Sequence, residues 1–157
     1  VSALARAEIK MPEKFLLAVS RLEEQTDTII AKSIEAGGKV VLNKVKGNLQ
    51  SVVGKGTKLP SRTSGELISA LGLSPVKVSR KGIHNAKVGW NEPRRKQYAA
   101  RGKRSYYTIT NAMIATVLEY GKHGQPAKPF LKPAKTASRK PCQEAMQQTL
   151  EEEVAKL

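Results

Sequence analysis

The chain is poor in the residues that most site chemistry draws on. It holds a single cysteine, Cys142, which excludes an intrachain disulfide framework and suits a reducing compartment such as bacterial cytoplasm. Histidine occurs twice, as His84 in a predicted turn and His123 in a Gly-rich link, and neither has a partner at ligand spacing. No H-E-x-x-H, C-x-x-C or G-x-S-x-G pattern occurs, so the expectation is no catalytic residue, no metal and no cofactor. Aromatics are few: four Tyr, two Phe and one Trp. A core must therefore come from Val, Ile, Leu and Ala. No apolar run approaches the roughly 18 residues needed to span a membrane. Val1–Met11 lacks the apolar stretch of a secretory signal.

Acidic residues are also scarce, 13 against 28 Lys and Arg, which leaves a formal net charge of +15. Such an excess favours a polyanionic partner, with nucleic acid ahead of an acidic protein and anionic lipid last. At 157 residues the chain suits one domain, which buries roughly 70% of its unfolded surface. No internal repeat or second core is visible, so residues 1–157 read as one unit.

Leu4–Met11 alternates apolar and charged residues like a strand, with Ala5, Ala7, Ile9 and Met11 on one side. The chain starts at Val1, which suggests processing or trimming, and that alternation argues against Met11 as a start. Pro12 suits the first turn of a helix bearing Phe15, Leu16, Val19 and Leu22. Thr26 or Asp27 is then expected to cap a second, longer helix with Ile30, Ile34, Val41, Val45, Leu49 and Val52 on one stripe. Gly37-Gly38 either breaks that helix or lets another backbone approach closely.

Gly54–Arg62 reads as a loop without phosphate-cradle spacing. Ser64 is expected to cap a short helix through Leu71, stopped by Gly72. Val76–Arg80 and Ala86–Trp90 read as strands around a turn at Lys81–Asn85. Residues 91–107 read as an exposed basic loop, mobile when alone and ordered by a partner. They hold Arg94, Arg95, Lys96, Arg101, Lys103 and Arg104, with Tyr98 interleaved and Tyr106 and Tyr107 adjacent. Ile109, Met113, Val117 and Tyr120 give a helical stripe that Gly121 ends. A C-terminal helical segment over 132–157 starts near Pro133, with Ala134, Ala137, Ala145, Leu150, Val154 and Leu157 on one face. Pro141 should kink it or split it. Glu151-Glu152-Glu153 sits at its negative end and calls for a basic neighbour, such as one on another subunit. The fold class is α+β, a small antiparallel sheet packed against a long N-terminal helix and a C-terminal helix.

One segment is specific. Val117-Leu118-Glu119-Tyr120-Gly121 is followed, after a short loop, by Gln125-Pro126-Ala127-Lys128-Pro129-Phe130-Leu131-Lys132-Pro133-Ala134. It resembles the signature of a family of phage neck proteins that includes tail-completion and minor tail proteins of lambda-like phages. Upstream, Ser64-Gly65-Glu66-Leu67 resembles the family's Thr-Gly-x-Leu helix start, and Val88-Gly89-Trp90 its Val-Gly strand. Gly65, Leu67, Gly89, Glu119, Gly121, Pro129, Phe130, Pro133 and Ala134 then read as structural signature positions.

The resemblance implies a virion protein, made in the host cytoplasm, that completes a tail or joins it to the head connector. It further implies assembly into a ring with itself, often of six copies, around the DNA passage, with connector or tail proteins as partners and no membrane. The six basic residues of 94–104 are the expected DNA-facing set, contacting phosphate without reading bases. A small basic nucleic-acid-binding module is the alternative, and a basic enzyme comes last.

Overall fold

The computed structural model describes residues 13–55, 65–90, 97–99, 106–108 and 110–157. The strand expected at Leu4–Met11, Pro12 at the helix start and Ser64 as a cap lie outside them. The architecture is α+β, with two long helices flanked by short antiparallel strands.

Helix α1 (Glu13–Val52) is one helix of 40 residues, about 60 Å long, where two were expected. Thr26 does not cap: its hydroxyl donates to the Leu22 carbonyl at 2.5 Å, one turn back inside the helix. Helix α4 (Leu131–Ala155) runs antiparallel against α1 and passes through Pro141 as one helix. Its start at Leu131 precedes the predicted one by two residues.

The inward face of α1 recurs at Ile29, Ser33, Gly37, Val45 and Leu49, along an i, i+4 ridge. A ridge of that kind needs small residues wherever the facing helix is bulky. Gly37 meets that need, since a Cβ there would lie 2.5 Å from Met146 Cγ and 2.9 Å from Cys142 Sγ. A Cβ on Gly38 would lie 2.7 Å from Leu73 Cδ1. The two glycines therefore admit neighbouring side chains without breaking the helix.

Polar bonds fix the register of α1 on α4. The Ser33 hydroxyl donates to the Met146 carbonyl (2.7 Å), and Asn48 Nδ2 donates to the Phe130 carbonyl (3.2 Å). Lys32 Nζ lies 2.6 Å from Glu153, which Lys156 also reaches at 2.5 Å. The basic neighbour required at the negative end of α4 thus comes from this chain. Hydrogen bonds from Lys156 and then Lys32 hold the Glu153 carboxyl below its usual pKa.

An exposed helix gains about 1 kcal/mol when Gly becomes Ala. At position 37 the opposite sign is expected. Gly37→Ala should destabilise by about 1–2 kcal/mol, because overpacking forces α4 to shift. Adding Met146→Ala should recover part of the loss, a coupling that a double-mutant cycle by urea denaturation would read.

Between the helices runs a long hairpin. Helix α2 (Glu66–Ser69) ends earlier than expected, and Leu71–Leu73 forms β1 rather than the helix end. Strand β1 pairs with β4 (Val88–Trp90), Leu71 opposite Trp90 and Gly72 opposite Gly89. Further out, β2 (Lys77–Val78) pairs with β3 (His84–Asn85) after one extra residue on the outgoing side. Ser74 bridges that offset: its N–H donates to the Lys87 carbonyl and its hydroxyl accepts from the Lys87 N–H, both at 2.8 Å. The predicted strands Val76–Arg80 and Ala86–Trp90 are thus two short pairings of one hairpin. Its tip lies at Ser79–Ile83, and Asn85 belongs to β3 rather than to the turn.

Two further predictions need correction. His84 is no exposed turn residue: its side chain is 10% exposed and its Nε2 lies 3.2 Å from Asp27 of α1. The segment expected as a basic loop contains β5 (Gln97–Ala99) paired with β6 (Tyr106–Thr108), Tyr98 opposite Tyr107.

Helix α3 (Asn111–Tyr120) is capped by Thr110, whose hydroxyl accepts from the Met113 N–H at 3.1 Å. Its inward face is Asn111, Ala115 and Glu119, while Met113 and Tyr120 of the predicted stripe are 56% and 79% exposed. The buried core gathers Val45 and Leu49 of α1, Leu67 of α2, Ala115 of α3, and Phe130 and Ala134 at the head of α4.

Candidate functional site

The head of α4 raises an immediate physical problem. The first four N–H groups of a helix have no partner inside it, and buried ends without partners are unfavourable. The N-cap residue of α4 is Phe130, whose side chain has nothing to offer. Glu119 of α3 supplies the acceptors instead. Its Oε2 accepts from the N–H of Phe130 (2.7 Å) and of Leu131 (2.8 Å), and its Oε1 from the N–H of Lys132 (3.0 Å). The fourth position is Pro133, which has no N–H to satisfy. One carboxylate and one proline thus settle all four groups.

Glu119 is only 6% exposed. Burial pushes its pKa up, but the three backbone N–H groups and the nearby Lys132 charge outweigh burial and leave it below the usual value. A negative charge here also opposes the positive end of the α4 dipole. The chemistry is that of a structural clamp.

A tight return of the chain makes the clamp possible. Gly121 has φ 76°, and a Cβ there would lie 2.7 Å from the Ala127 nitrogen and 2.8 Å from the Gln125 oxygen. Lys122 and Gln125 bridge across the His123-Gly124 turn, and the Lys128 N–H donates to the Leu118 carbonyl at 2.7 Å. Lys128 Nζ donates to the Lys55 carbonyl, tying the loop to the end of α1. Phe130, fully buried, then meets Trp90 edge to face at 6.2 Å between centroids. Trp90 Nε1 donates to the Leu67 carbonyl at 2.9 Å.

Most of the predicted signature positions meet in this region. Glu119 and Gly121 close on Phe130 and Pro133, Ala134 is buried behind them, and Leu67 is buried in the same cluster. Pro129 is exposed and serves only the approach to α4. Gly65 holds the N-cap position of α2 at φ 75°. Gly89 lies on β4 with open space where a Cβ would stand, so no close approach explains it. The six basic positions Arg94, Arg95, Lys96, Arg101, Lys103 and Arg104 lie outside the described residues.

A second feature was missed in the sequence. Lys132, Lys135 and Arg139 are all exposed on α4, and 100° per residue places them within a ~60° arc. Their i, i+3, i+7 spacing was the available signal, but it was read only for apolar residues. Among the described residues no group of three His, Cys, Asp or Glu side chains could hold a metal ion, and no helix is long and apolar enough to cross a membrane. No protein-family model, curated protein or solved structure matches this chain.

Proposed function

We propose that the chain is a structural component of a long-tailed bacteriophage, acting without catalysis in tail completion or head–tail joining by oligomeric assembly around the DNA passage. The resemblance of Glu119–Gly121 and Pro129–Ala134 to the neck-protein signature carries this reading. The two segments act as one physical unit here, which is what a signature of folding residues would require. Assembly is further supported by exposed apolar side chains on the terminal helices: Leu17 and Leu22 on α1, Leu150 and Val154 on α4.

Electron microscopy of particles produced without this protein tests the proposal. Aberrant tail ends or unattached heads are expected, and normal virions would overturn it. The alternative, a small nucleic-acid-binding module, is favoured by the basic face of α4. It predicts salt-sensitive binding by the isolated chain and no tail phenotype.

A further inference from the structure

The helix pair is polarised in charge. From Ala36 to Lys55, α1 and the residues after it carry Lys39, Lys44, Lys46 and Lys55 with no acid. From Leu131 to Gln143, α4 carries Lys132, Lys135, Arg139 and Lys140 with no acid. The antiparallel packing sets these stretches side by side, since Asn48 bonds Phe130 and Gly37 faces Cys142. At the other end lie Glu23, Glu24, Asp27, Glu151, Glu152 and Glu153.

At the basic end Lys39 and Lys140 pair with Glu35 and Glu144, one turn away on their own helices. Glu153 is held by Lys32 and Lys156, Asp27 lies against His84, and Glu151 and Glu152 accept from Gln147 and Gln148. Among the described residues, no carboxylate forms an ion pair with Lys132, Lys135 or Arg139. Glu119 of α3, whose carboxylate feels the Lys132 charge, has both oxygens committed to backbone N–H groups. Like charges on one helix face repel, and the Lys132 attraction to Glu119 offsets that cost only at one end of the row. An external polyanion recovers it.

We infer that the face of α4 bearing Lys132, Lys135 and Arg139 is a contact surface for the phosphate backbone of nucleic acid. The inference rests on the DNA-passage part of the function proposed above, and places the contact on α4. The three charges rise along the helix by about 4.5 and 6 Å, while phosphates repeat every ~3.4 Å of axis along one strand. Long, flexible stems can therefore reach successive phosphates. Contacts of this kind set position and carry no sequence information. A second copy is the less favoured occupant, because Glu151, Glu152 and Glu153 of the acidic end are already engaged with its own lysines and glutamines.

The test uses the full chain with 30-base-pair duplexes of two unrelated sequences and a single strand of equal length, from 50 to 300 mM salt. Three variants are compared: Lys132→Gln/Lys135→Gln/Arg139→Gln, the hairpin control Lys77→Gln/Arg80→Gln/Lys81→Gln, and neutralisation of the six basic residues of 94–104. Each triple removes the same net charge. The α4 triple should lower the log–log salt slope by about 2.7, some 0.9 per lost phosphate contact on duplex, with affinity falling alike on both sequences. The hairpin triple should change the slope by less than one.

Because Lys132 adjoins the Glu119 clamp, the Lys135→Gln/Arg139→Gln pair is measured as well and should lower the slope by about 1.8. A smaller slope on single strand, about 0.7 per contact, distinguishes the form of nucleic acid bound. Equal effects of the two triples would mean that bulk charge alone binds, and would overturn the inference. So would an unchanged slope in both α4 variants, or salt-sensitive self-association in place of DNA binding. Loss of slope in the α4 triple together with normal virions in its absence would sink the assembly reading and leave this surface standing.

Discussion

Glu119→Ala should unfold the chain more readily by about 3–4 kcal/mol, an expected fall in Tm of roughly 6–16 °C for a domain of this size. Hydrogen bonds to a charged acceptor contribute about 1.5–3 kcal/mol each, and losing the acceptor leaves buried donors unsatisfied. Three N–H groups depend on Glu119, at Phe130, Leu131 and Lys132. Water entering at exposed Lys132 keeps the loss below the simple sum. Glu119→Gln should cost about 2 kcal/mol, since an amide keeps one acceptor oxygen but loses the charge that opposes the helix dipole.

The same clamp gives stability a pH dependence of definite sign. The Glu119 pKa is lowered in the folded chain, so the unfolded chain binds its proton first. The stabilisation is present in full above the unfolded value of about 4.3 and is lost as pH falls through the folded pKa. The gap between wild type and Glu119→Gln, read by urea denaturation, should therefore be largest near neutrality and close on acidification below about pH 4. A gap that stays constant from pH 7 to pH 3 would show that the carboxylate acts by shape rather than by charge.

The contrast between α3 and the junction shows what one sequence can disclose. Gly121, Pro133 and the Phe130 anchor were legible because each has a local backbone reason for its identity. The inward face of α3 was not. Apolar periodicity selected Met113, Val117 and Tyr120, whereas the protein buries Asn111, Ala115 and Glu119. A buried carboxylate is favourable only when donors meet it, and those donors lie eleven to thirteen residues away on another helix.

Other misreadings have the same origin. Leu71–Leu73 looked like a helix end because its partner Val88–Trp90 is distant in sequence. Thr26 looked like a cap because Thr suits caps, yet it also fits inside a helix by bonding back one turn. Leu150 and Val154 share a face with Ala134 by apolar spacing, yet Ala134 is buried and those two are exposed. Beside exposed Ala137 it is the polar Ser138 that is buried, at 3%. The candidate phosphate-facing charges of α4 were visible as letters but not as a face, since the helix start at Leu131 had first to be known.

Phe130→Ala should cost about 3–5 kcal/mol, the usual loss for a fully buried aromatic. Phe130 is fully buried in the cluster shared by α1, α2, α3 and α4, so no single neighbour can collapse into the space it leaves. The change also removes the edge-to-face contact with Trp90, of order 0.5–1.5 kcal/mol within that total. Domains of this kind are stable by about 5–15 kcal/mol, so the variant is expected near the margin of folding. Phe130→Leu keeps most of the volume and should lose about 1–1.5 kcal/mol.

Trp90 is the sole tryptophan, so its emission reports the site directly. A red shift at temperatures where the helices persist by circular dichroism is expected for Phe130→Ala alone. The backbone of Phe130 belongs to the same unit as Glu119, because its N–H enters the clamp and its carbonyl accepts from Asn48. The two substitutions should therefore be less than additive. Glu119→Ala with Phe130→Ala is expected to lose at least 1 kcal/mol less than the sum of the single changes. Full additivity would mean that the clamp and the core anchor stabilise the head of α4 independently.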